Sequence, residues 1–164
     1  MGKLSLYLRG TDLFFNLTNT QLEMVENICD DCLYKKGDAI VSENTPGKEL
    51  FLIIDGKVEI IVNPGMVSPD PKMMASPAVI ATLRQGQSFG EMAIVDEGLR
   101  SATVRASTKT TRVLRIEREK FLMLCNTFPD LGYHVMSNLA AEMALKIRNA
   151  DLSIREALLY KKIV

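Results

Sequence analysis

Hydrophobic residues along the chain change period twice. Leu22, Val25 and Ile28 recur at helical spacing, and Thr18–Gln21 and Thr20–Glu23 both have capping-box spacing. This predicts a short amphipathic helix from about Asn19 to Cys29. From Leu33 the period becomes that of strands, with Gly37-Asp38 marking a turn and Ala39-Ile40-Val41 a short apolar run. The segment ELFLIIDGKVEIIV (49–62) holds two β-branched-rich runs joined by Asp55-Gly56. That pair suits a two-residue type I′ turn, so the pattern predicts a β-hairpin. Strand signals return at Val79–Leu83, Ala102–Ala106 and Arg112–Ile116.

Between these runs, residues 63–78 carry Pro64, Pro69, Pro71 and Pro77, and proline removes ladder donors; a long exposed loop is expected there. After Ile116 the helical period returns, with a short helix at Arg118–Leu124 and a break at Pro129. One long helix then covers about residues 131–162. Along it Met136, Ala140, Met143, Ile147, Ala150, Ile154 and Ala157 form an a/d seam, which predicts a homodimer through this helix. The expected architecture is mainly β with flanking helices: an antiparallel jelly roll or barrel of about eight short strands, with an N-terminal helix and a long C-terminal one. With 164 residues, residues 1–164 read as a single domain.

Composition narrows the function. Twenty basic and twenty acidic residues cancel, which argues against a nucleic-acid-binding surface. Lys161 and Lys162 are too few for a DNA-binding arm, so no DNA binding is expected of this chain alone. No run reaches the roughly 18 apolar residues of a membrane helix, and MGKLSLYLRG has no signal-peptide core. Three cysteines fit a reducing compartment, so the expectation is a cytoplasmic protein without membrane attachment. A metal-bearing barrel would rely on several histidines, and the chain has only His134. Cys29-Asp30-Asp31-Cys32 has CxxC spacing but expects to end a helix, where the dipole does not lower a thiol pKa, and Cys125 alone does not complete a soft-ligand set. No nucleophile elbow, P-loop or HExxH occurs; neither enzyme activity nor a metal or cofactor is expected.

The remaining informative segment is SFGEMAIVDEGLRSATV (88–104). Gly90 allows close backbone approach to a ligand, and small residues Ala93, Ser101 and Ala102 leave room for a buried group. Amide groups from a turn at 91–95 would form an anion-binding concavity. Arg100 offers a bidentate fork to phosphate oxygens, and Glu91 an acceptor for a sugar hydroxyl. These parts describe a pocket for one phosphate and one ribose.

FGEMAIVDEGLRSATV resembles the phosphate-binding cassette of cyclic nucleotide-binding domains, as in the catabolite activator protein family and kinase regulatory subunits. The likeness extends to the leading helix, the GD and DG turns, the strand spacing and the closing helix. It implies that Glu91 holds the ribose 2′-hydroxyl and Arg100 the cyclic phosphate. Backbone amides near Gly90, Met92 and Ala93 would add to the phosphate shell, with Ser101 on phosphate or base. Where that family places hydroxyl residues against the purine, this chain reads Arg148-Asn149-Ala150-Asp151. Asn149 or Asp151 would accept from an exocyclic amine, and cAMP is favoured over cGMP. No DNA-reading helix-turn-helix follows, so the expectation is a free-standing sensor or the regulatory part of a longer protein. The rival expectation is a dimerisation or protein-interaction module that kept the fold and lost the ligand, with loop 63–78 as a docking site.

Overall fold

The computed structural model describes residues 4–66 and 76–161. Among these residues eight strands form two antiparallel four-stranded sheets. They are β1 (Cys29–Lys35), β2 (Ala39–Val41), β3 (Glu49–Asp55), β4 (Lys57–Val62), β5 (Ala78–Arg84), β6 (Ser88–Phe89), β7 (Thr103–Ala106) and β8 (Thr110–Glu117). The first sheet runs β1-β8-β3-β6 and the second β2-β7-β4-β5, a jelly-roll-like sandwich rather than a closed barrel.

The described residues also form helices α1 (Ser5–Arg9), α2 (Asn19–Glu26), α3 (Met92–Val95), α4 (Arg118–Thr127) and α5 (Pro129–Lys161), with short 3-10 turns at Asp12–Phe14 and Pro64–Met66. The alternation of β3 explains the layering. Leu50, Leu52 and Ile54 face an outer core with Leu8, Phe14, Leu22, Val25, Phe121 and Leu131. Phe51 and Ile53 face the other way, into a core between the sheets with Val58, Phe89, Val104 and Val113. A strand buried on both faces reads as a continuous apolar run, as β3 does.

This layering overturns the expected hairpin at Asp55-Gly56. β3 pairs with β8 and β6, whereas β4 pairs with β5 and β7, so the Asp-Gly pair turns a corner between sheets. Only Gly56 takes a positive φ, +85°, so the turn is not type I′. A Cβ on Gly56 would lie 2.6 Å from Thr108 Oγ1 and 2.7 Å from the Thr110 carbonyl, so the corner is packed on the β7–β8 turn. The hairpin partner of β4 is β5, joined to it through the proline-rich segment. Of that segment, 67–75 lie outside the described residues.

The first helix pattern is also shorter than expected. Thr18 and Gln21 form the capping box, the Gln21 amide donating to Thr18 Oγ1 and the Thr18 amide to Gln21 Oε1. The helix stops at Glu26, and Cys29 opens β1, because Cys29–Lys35 pairs along its whole length with β8. Strand periodicity then separates the CxxC thiols: Cys29 joins the outer core and Cys32 the core between the sheets. All three cysteines are free.

Helix α5 begins with proline at its first position, where no amide is needed. Leu131, Val135 and Leu139 bury its first turns in the outer core, and Asn138 Nδ2 donates to the carbonyls of Leu13 and Phe15. Residues 147–159 are exposed, with Ile147 and Ile154 of the seam at 62% and 58%. Among the described residues no helix is long and apolar enough to cross a membrane.

Burial, then the neighbouring Glu26 and Asp30 carboxylates, push the Cys29 thiol from 9.0 up to about 12. The folded state therefore favours the neutral thiol; this contribution to stability is whole below pH 9 and is lost as pH rises toward 12. Urea unfolding between pH 8 and 10.5 should show stability falling with pH, with a shallower fall in Cys29→Ala. An unchanged slope in that variant would place the titration elsewhere.

Candidate functional site

The segment from β6 to β7 wraps one side of a cavity of about 700 Å3, and α5 closes the other. Gly90 leaves β6 at φ +75°, and Glu91 precedes the four-residue helix α3. The chain then returns through Leu99, bridged to Pro46, to Arg100. Arg100 is held in backbone as well as side chain: its amide donates to the Thr45 carbonyl and its carbonyl accepts from Asn44, each at 2.9 Å.

The Arg100 side chain is only 6% exposed. Nη1 donates to the carbonyls of Glu49 (2.9 Å) and Gly90 (3.3 Å), and Nη2 to Glu49 Oε2 (2.8 Å). A guanidinium has five N–H donors. These three bonds leave two for a ligand. The group lies 5.8 Å from the centroid of Phe51, which stacks on Phe89 at 4.9 Å and 9°. Two glycines make room for it: a Cβ on Gly47 would come within 1.9 Å of Arg100 Nε, and one on Gly90 within 2.7 Å of Nη1.

Glu91 is the second buried charge, 8% exposed. Its Oε1 pairs with Lys146 Nζ of α5 at 3.0 Å. Lys146 also reaches Glu142 Oε1 at 3.1 Å and the Ser88 carbonyl at 3.5 Å, while Ser88 Oγ donates to Glu142 at 2.8 Å. Cassette and helix are thus joined by a closed polar network.

Gly90, Glu91, Met92, Ala93, Arg100 and Ser101 all line this cavity, as does Asn149. Asp151 does not, because it sits on another face of α5 from Asn149 and Ser153. The Ala93 amide donates to the Gly90 carbonyl at 3.2 Å, which closes the turn. Ser101 Oγ faces Met92 Sδ at 3.8 Å. Glu142, Lys146 and Ser153 are among the lining residues that escaped the sequence reading. The i, i+4 spacing of Glu142 and Lys146 was visible, but such a pair reads as a solvated helix face until a partner surface is known.

Fold and site together define a ligand-binding regulatory domain whose polar anchors are a buried arginine and a buried glutamate. The pattern of the cyclic nucleotide-binding domain family matches residues 32–128, and the chain belongs to this family. It is 30% identical over 147 residues to the Cyclic AMP receptor protein of Thermus thermophilus, covering 90% of this chain and 62% of that protein. It is 31% identical over 125 residues to human cGMP-dependent protein kinase 2, covering 76% of this chain and 16% of the kinase. The crystal structure of Thermus thermophilus Catabolite Activator Protein superposes with a TM-score of 0.74 over 88% of this chain and 62% of that one. A cyclic nucleotide-binding domain from Methylobacillus flagellatus shares the fold at TM-score 0.75 and 22% identity, over 91% of this chain and 83% of that one. The chain therefore spans less than two thirds of the length of both named sequence relatives.

Gly47→Ala should force the Arg100 guanidinium out of its slot and destabilise the fold by about 1–3 kcal/mol in urea unfolding, the usual range for overpacking. Gly10→Ala, where a Cβ meets nothing nearer than 3.5 Å, is the control. Equal stability of the two variants would mean that the guanidinium is not confined there.

Proposed function

We propose that the chain is a non-catalytic cyclic nucleotide sensor, with cAMP favoured over cGMP, that signals through its C-terminal helix. The observation that carries this reading is the pairing of Arg100 and Glu91 on one cavity large enough for a nucleotide. The two unspent donors of Arg100 would take the cyclic phosphate. The Glu91 carboxylate has acceptor capacity beyond its Lys146 bond, so the ribose 2′-hydroxyl would donate to it without expelling the lysine.

The purine would lie between the apolar side chains of Ile60 and Leu83 and the helix, whose Asn149 and Ser153 line the cavity. An amide oxygen at Asn149 would accept from the exocyclic amine of adenine. Lys146 joins the sugar carboxylate to α5, so nucleotide binding would bias the helix position. No chemistry beyond binding is asked of these residues. We place the protein in the cytoplasm, in keeping with its three free thiols.

A thermal-shift titration with cAMP, cGMP and 5′-AMP tests the reading. Ligand at 100 times its Kd should add about 2.7 kcal/mol and raise Tm by roughly 5–10 °C. Arg100→Ala should weaken cyclic nucleotide binding by about 10- to 150-fold, the loss of a charge-assisted pair. In the same series Lys146→Ala should abolish any ligand-dependent hydrogen-exchange protection of residues 142–154. No shift with either cyclic nucleotide at millimolar concentration would leave the interaction module as the reading.

The exposed seam of α5 would be covered by the same helix of a second copy, a homodimer. Light scattering after size-exclusion chromatography should give twice the chain mass, and Ile147→Asp, outside the cavity lining, should halve it. A monomeric parent at high concentration removes the dimer and leaves nucleotide binding untouched.

A further inference from the structure

Arg100 stands between two cavities. The second, about 260 Å3, shares only Val41 and Arg100 with the first. It lies against the inner face of the first sheet, where Phe51 of β3 is the register partner of Arg115 of β8. Its polar walls are Tyr34, Ser42, Thr45, Glu49, Arg100 and Arg115.

The hydrogen-bond inventory of these walls is unbalanced toward donors. Arg115 gives Nη2 to Asp30 at 2.9 Å, yet its Nε is buried and has no partner. Among the described residues the hydroxyls of Tyr34 and Ser42 also have none, and burial pushes the Tyr34 phenol up, which keeps its proton in place. Glu49 is the one carboxylate in the lining; it already accepts from Arg100 and, at 3.1 Å, from the Lys48 amide. The Thr45 hydroxyl is spent on the Ser42 carbonyl at 2.6 Å. A buried guanidinium N–H without an acceptor is costly, and a bound acceptor removes that cost.

We propose that this second cavity binds a small oxyanion such as inorganic phosphate, held by Tyr34, Ser42 and Arg115 and coupled to the nucleotide cavity through Arg100. Two anions then compete for one guanidinium, so the coupling is negative and reciprocal. Phosphate lowers nucleotide affinity, and nucleotide lowers phosphate affinity by the same factor. The binding stands by itself, whereas the coupling rests on the cyclic nucleotide reading above.

The test has two arms. In the first, the unliganded chain is titrated with sodium phosphate to tens of millimolar, with sodium sulfate and, at matched ionic strength, sodium chloride alongside. Saturable movement of the Arg115 Nε–H NMR signal with phosphate and sulfate but not chloride is expected, and weaker binding in Tyr34→Phe. No saturable change beyond that with chloride overturns the proposal, whether or not the chain binds nucleotide.

In the second arm, cyclic nucleotide affinity is measured against rising phosphate. Its Kd should climb to a plateau between about 5- and 150-fold, the range of ordinary allosteric coupling. Tyr34→Phe and, where it folds, Arg115→Gln should lessen the effect while keeping the phosphate-free Kd. A Kd that rises without limit, and equally in both variants, means that phosphate simply enters the nucleotide cavity; that result also overturns the proposal.

Discussion

The arrangement of the site depends on burying one guanidinium without stranding it. Arg100 sits 94% out of solvent, and an isolated charge there would be prohibitive. Glu49 offsets that cost twice, with its carboxylate and with its carbonyl, and Gly90 adds a second carbonyl. The consequence is spatial: partners crowd one part of the group and leave two N–H donors unspent. Much of the local sequence follows from this. Gly47 and Gly90 have no side chains because the guanidinium occupies the space, and Phe51 stacked on Phe89 gives it a flat apolar neighbour.

Position of Arg100 in turn rests on the sandwich. Glu49 and Phe51 belong to β3, the doubly buried strand, while Arg100 lies three residues before β7 of the other sheet. The clamp therefore spans both sheets, and its backbone bonds to Asn44 and Thr45 tie down the segment after β2. A shift of either sheet would pull the guanidinium from its carbonyls. Rigidity here is a matter of donors and acceptors held at 2.8–3.3 Å by elements that cannot move separately.

The sequence made the cassette legible because FGE and RSA place unusual residue types at fixed positions, and each needs a physical reason. Strands were legible as apolar runs, but not which run pairs with which. Asp55-Gly56 looks the same locally whether the chain folds back on itself or crosses to a second sheet; β8 and β7, fifty residues on, decide it. Cys29 reads as helix by spacing and becomes strand because β8 offers it a partner. On α5 the seam was visible, yet the face that meets the cassette was not. Asp151 and Asn149 are two residues apart and point to different surfaces, and only the docking through Leu131, Val135 and Leu139 sets which one reaches the cavity. Lys146 was invisible for the same reason, since its significance lies in Glu91, 55 positions earlier.

That lysine resolves a conflict inherent in the proposed ligand. A cyclic nucleotide brings a negative phosphate and a hydroxyl within a few ångströms of each other, and the proposed site would meet one with an arginine and the other with a carboxylate. An unpaired Glu91 would repel the phosphate that Arg100 attracts, and in a half-dry cavity that repulsion would be weakly screened. Lys146, shared with Glu142 at 3.1 Å, offsets part of it at 3.0 Å while leaving acceptor capacity on Glu91 for a hydroxyl. Because the offsetting charge comes from α5 rather than from the cassette, electrostatic balance at the site would depend on the position of the helix. Moving the helix away would uncover a carboxylate beside the proposed phosphate position, so a bound anion would favour the helix-docked state. Glu142 keeps Lys146 aimed at this place through the same i, i+4 spacing that made the pair look ordinary.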